Sequence, residues 1–88
     1  MVTDKYRVKV DRVRLAKVFK ITEVATGKWI ESPQWILRSI LATNELSGRF
    51  HHLTWIRVED NISIYHTDEG ETHIIRGTVG ELEELVEN

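Results

Sequence analysis

The chain predicts an α+β domain: an antiparallel sheet in β-β-β-α-β-β-β-α order, one main helix across a face and a short C-terminal helix. Three observations carry this. A proline-led, glycine-ended amphipathic stretch occupies 32–48. Segments alternating with period two flank it on both sides. Most strands are joined by polar, hairpin-length turns, which favours antiparallel pairing over crossovers.

Residues 5–10, KYRVKV, alternate cleanly, with Tyr6, Val8 and Val10 on one face and Lys5, Arg7 and Lys9 on the other. At 11–17 the apolar positions move to Val13 and Leu15, which fits a β-bulge, a tight turn or a short helical turn opened by Asp11. Residues 18–24 form a second strand with Phe19 and Ile21 on one face. Gly27 supplies positive φ for the following turn. Residues 28–31 make a short third strand carrying Trp29.

The main helix then starts. Ser32 is the expected N-cap and Pro33 the first helical residue. Trp35, Ile36, Leu37, Ile40 and Leu41 give the apolar face, Arg38, Ser39, Thr43 and Asn44 the polar side, and Gly48 the terminator. Residues 49–58, 62–66 and 72–76 are the fourth to sixth strands, separated by turns at 59–61 and 68–70. Thr78 can cap a last helix, 79–88, with Val79, Leu82, Leu85 and Val86 as its stripe.

If both of those turns are three residues long, Val58 pairs with Ile62, and Ile56 lies opposite Ile64. Ile74 then joins Ile64 under the helix, and the even-numbered face is the core. The odd face gathers Trp55, Tyr65 and His73, flanked by Arg57, as an aromatic patch suited to a partner.

The 88 residues bound the chain to one domain, 1–88. With no cysteine there is no disulfide, thiolate metal site or cysteine nucleophile, which fits a reducing cytoplasm. No apolar run approaches the roughly 20 residues that span a bilayer, and the charged start lacks a signal-peptide core. A soluble cytoplasmic protein is the expectation.

No P-loop, GxGxxG, GxSxG or HExxH motif occurs, and the four histidines lack metal-ligand spacing, although His52 and His66 could share a face. No enzyme activity, metal or other cofactor is expected.

The net charge of −2 hides an asymmetry. Residues 1–28 carry eight bases against three acids; residues 59–88 carry Arg76 against nine acids. The basic first third, with Arg7, Lys9, Arg12, Arg14 and Lys17, could track phosphates. The acidic last third could face a basic partner groove, or the two ends could fold together and neutralise.

In size and layout the chain resembles small accessory proteins of phages and mobile elements, including inhibitors of host defence. That resemblance, with the absence of catalytic motifs, leads to a non-enzymatic protein-interaction module: an accessory, regulatory or inhibitor protein acting on a protein or nucleoprotein. The alternative is direct nucleic-acid binding through the basic N-terminal strand region. A two-faced sheet with one main helix leaves apolar area uncovered, which makes a homodimer plausible.

Overall fold

The structure is a computed structural model that describes residues 2–87; Met1 and Asn88, the expected end of the second helix, lie outside the described residues. The elements are β1 (Tyr6–Val13), β2 (Ala16–Glu23), β3 (Trp29–Pro33), α1 (Gln34–Ala42), β4 (Ser47–Phe50), β5 (Leu53–Val58), β6 (Asn61–Asp68), β7 (Glu71–Thr78) and α2 (Val79–Val86). They form an α+β fold with two antiparallel sheets, β1-β2-β3 and β4-β5-β6-β7. No helix among the described residues is long and apolar enough to cross a membrane.

The element order follows the sequence pattern, with one strand more than expected. The single strand over 49–58 is two, split by a turn at His51-His52, where His51 takes a φ of 57°. At 11–17 the chain makes a tight turn. Val13 pairs with Ala16, so the loop is only Arg14-Leu15, with Arg14 at a φ of 60°.

Turn length also overturns the expected parity. Val58 pairs with Asn61 across a two-residue loop, and Asp68 pairs with Glu71 across Glu69-Gly70. Trp55 therefore lies opposite Ile64, and Ile64 opposite Ile75. Each turn is one residue shorter than expected, and with a side-chain period of two, one residue exchanges the faces of the paired strand. Trp55, Ile64 and Ile75 are buried, whereas Ile56 is 47% exposed and Val58 is exposed as well. Glu59 hid the short turn, because it holds a φ of 56° without the glycine or asparagine that usually signals it.

Helix α1 buries Ile36, Leu37, Ile40 and Leu41 as expected. Its limits are tighter than 32–48. Ser32 is buried in β3, where its hydroxyl donates to the Pro33 carbonyl, and Pro33 takes the N-cap position with no side-chain cap. At the other end Thr43 is extended, and its hydroxyl accepts from Glu45 N–H, a local bond that competes with another helical turn. Gly48 belongs to β4, where a Cβ would come within 2.7 Å of the Trp55 ring. Helix α2 starts as expected: Thr78 and Glu81 form a reciprocal capping box.

The buried side chains form one cluster drawn from both sheets and both helices, including Phe19, Ile21, Ile30, Leu37, Ile40, Leu53, Ile64, Ile75 and Leu82. The sheets are also tied at their edges by two side-chain clamps. β7 is an edge strand, and the N–H of its Arg76 donates to Glu23 Oε2 at 3.0 Å while its carbonyl accepts from the Tyr6 hydroxyl. Tyr6 and Glu23 are themselves a cross-strand pair. Reciprocally, β3 is the edge of the other sheet, and Glu31 N–H donates to His66 Nδ1 at 3.1 Å. His52 Nε2 donates to the Glu31 carbonyl at 2.7 Å. In each case a side-chain pair from one sheet satisfies the outward backbone groups of the other, in place of a strand ladder.

Candidate nucleic-acid interface

Strand β3 covers β2 only from Val18 to Thr22. Beyond Val18 and its partner Asp11, the β1–β2 hairpin has no third strand. The pairs Arg12–Lys17 and Val13–Ala16 and the Arg14-Leu15 loop project as a two-stranded arm. Residues 9–15 are all exposed, and Leu15 at the tip is 98% exposed.

Charge on this hairpin is mostly basic. Lys9 lies directly opposite Lys20, and Arg12 directly opposite Lys17. Like charges facing across a strand pair are destabilising. Lys20 is relieved on its other side, where it lies directly opposite Glu31 of β3, and its ammonium is 4.7 Å from the centre of the Trp29 ring. Arg7, Lys9, Arg12 and Arg14 have no carboxylate within ion-pair distance among the described residues. Asp11 is the one acid on the arm, at its base.

The two ends of the chain meet away from the arm. Lys5 pairs with Glu81 and Lys28 with Glu71, each at 3.1 Å. The Thr78 backbone N–H and the Lys5 ammonium hold the Glu81 carboxyl below its usual range, and Lys28 does the same for Glu71. Neutralisation is therefore partial: it takes in Lys5 and Lys28 and leaves the arginines of the arm.

The expected aromatic patch does not assemble. Trp55 and His73 face inward, at 7% and 8% exposure, while Tyr65 lies on the opposite face beside Thr54 and Ile74. Arg57 donates to the carbonyl of Thr43, satisfying a free acceptor at the end of α1. Once the turns shorten by one residue, these four side chains cannot share an exposed surface.

A different aromatic group forms instead. Trp35, placed on the apolar face of α1 by its spacing, is 53% exposed and meets Phe50 and His51 edge-on. Beside it, Ser39, Ile40, Thr43, Phe50 and Trp55 line a cleft of about 200 Å³. That is below the ~300 Å³ at which small-molecule sites begin. The Trp55 indole N–H is buried with no acceptor among the described residues.

The histidines gather as well. His52 and His66 stack edge-on with centroids 4.9 Å apart, and Trp29 contacts both His66 and His73. Burial and the neighbouring His52 lower the pKa of His66. No cluster of three or more potential metal ligands occurs among the described residues.

The arm's basic residues were visible in the sequence; its projection was not, because it depends on where β3 stops pairing. Leu15 could have been noticed as an apolar residue at a turn between basic ones. Comparison with protein-family models, curated proteins and solved structures returned no match.

Proposed function

We propose that this chain is a non-enzymatic binding module that grips nucleic acid, alone or within a nucleoprotein, through the β1–β2 arm. The observation that carries this is a run of exposed cations, Arg7, Lys9, Arg12 and Arg14, with no carboxylate in ion-pair distance among the described residues, on a hairpin that extends past its sheet. Exposed cations that the fold does not pair are open to the phosphates of a polyanion. A module of this kind acts by occupying a site, which suits an accessory or regulatory role. A cysteine-free chain is at home in the cytoplasm.

The test is equilibrium binding to a labelled duplex between about 50 and 200 mM salt. Affinity is expected to fall steeply. Arg7→Ala and Lys9→Ala are each expected to reduce the log–log slope by about 0.9 for every phosphate left without its cation. Absence of binding at the lowest salt rejects the reading.

A second reading, a protein partner, is favoured by the exposed Trp35 beside the cleft between α1 and β4. β4 is an edge strand, so an added strand from a second copy is the simplest occupant. Sedimentation across protein concentration tests this: a dimer that Trp35→Glu abolishes supports it, and a monomer throughout rejects it.

A further inference from the structure

We infer that the arm is shaped for the major groove of B-form DNA, with Leu15 meeting thymine methyl groups there. This rests on the nucleic-acid reading above and narrows it to one kind of nucleic acid.

Size decides first. From Asp11, the last β1 residue with a third strand level with it, to Arg14 is three residues, or about 10 Å of strand. The major groove is about 8.5 Å deep and wide enough for a two-stranded ribbon, so the tip reaches the base edges. The minor groove, about 6 Å wide, does not admit a ribbon whose strands alone are about 4.8 Å apart. The major groove of A-form RNA is too narrow to read.

Chemistry excludes the single strand. Proteins that hold unpaired bases stack them on aromatic rings. Residues 9–17 contain no ring; Phe19, next along the hairpin, is fully buried, and Trp29 is packed under Lys20 and against His66 and His73. The tip offers an aliphatic side chain next to the guanidinium of Arg14. In the major groove guanine presents two acceptors that suit a bidentate arginine, and thymine presents its methyl group. Arg12 and Arg14 match the first and Leu15 the second. Val13, exposed on the Ala16 face, widens the apolar contact. Arg7 and Lys9, farther back on β1, lie where the ribbon would leave the groove between phosphates.

The experiment measures binding of the full chain to four labelled ligands of one sequence: a thymine-rich DNA duplex, the same duplex with deoxyuridine for thymidine, the matching RNA duplex, and the single DNA strand. Removing the thymine methyls is expected to weaken binding about fourfold per methyl contacted, the transfer value of one such group. Leu15→Ala is expected to shrink the difference between the thymine and uracil duplexes, with the salt slope of the unmodified chain. The RNA duplex and the single strand are expected to bind more weakly than the DNA duplex. Salt-dependent binding with no thymine–uracil difference, or with RNA held equally well, overturns the groove assignment and leaves the phosphate reading intact. No binding to any of the four overturns both and leaves an acidic protein surface as the arm's partner. Circular dichroism of Leu15→Ala confirms that the fold is retained.

Discussion

The two clamps that join the sheets share a geometry and differ in chemistry. Tyr6 and Glu23 hold Arg76 of β7; His66 and His52 hold Glu31 of β3. Burial, then the charges of Glu81 and Glu23, push the Tyr6 hydroxyl up to about 12. His66 must instead stay neutral for Nδ1 to accept from Glu31, and burial and His52 favour that form. One junction is thus indifferent to pH across the physiological range while the other fails on acidification. Two clamps that each hold one N–H and one carbonyl on a sheet edge thus contain groups whose pKa values are displaced in opposite directions.

The largest expected effect breaks the tyrosine clamp. Tyr6→Ala removes a fully packed ring as well as its hydroxyl and should cost about 3–5 kcal/mol, read from denaturant midpoints. Gly77→Ala attacks the same clamp from the other side, since a Cβ there would collide with the Tyr6 hydroxyl. Overpacking of this kind costs about 1–3 kcal/mol. Equal stability of Gly77→Ala and the parent would show that Tyr6 can leave Arg76 freely.

Acid and alkali sharpen the contrast. The folded pKa of His66 lies below its unfolded value, so the unfolded chain takes up the proton first as pH falls. Its contribution is complete above about pH 6.5 and is lost as pH drops through the lowered folded value. The hydrogen bond at stake is near the surface, and a loss of up to about 1 kcal/mol is expected. His66→Gln, which keeps an acceptor without a titrating ring, should flatten the melting temperature between about pH 7 and 5. For Tyr6 the folded pKa is raised, so its contribution is complete below about pH 10 and is lost as pH rises through 12.

The smallest effect is expected far from both clamps. Leu15→Ala touches no packed group and should change stability by less than about 0.5 kcal/mol. A larger loss would mean that the arm tip helps to hold the fold, contrary to its exposure.

Much of this architecture was legible in the sequence. Thr78 and Glu81 sit at the spacing of a capping box and form one; the α1 core positions follow helical spacing; Phe19 and Ile21 alternate inward as expected. The clamps were not legible, since their partners are 35 residues apart for Glu31 and His66 and 70 apart for Tyr6 and Arg76. Trp35 satisfied the periodicity of a buried face and still lies at the surface, because periodicity places a residue on a helix without saying how wide the covering layer is.

The sequence by itself determined which segments extend, which two coil, where the charges fall and which chemistries are absent from the motifs. Those features arise from neighbours along the chain: alternation, turn residues and caps. Only the tertiary structure decided which side of β5 to β7 is wet and where the first hairpin outgrows its sheet. The first depended on a single residue of turn length, held open by Glu59 at a positive φ, and the second on the point where β3 stops pairing at Pro33. The second is settled by contacts between distant segments, and the first by a turn conformation that the residue type of Glu59 does not signal.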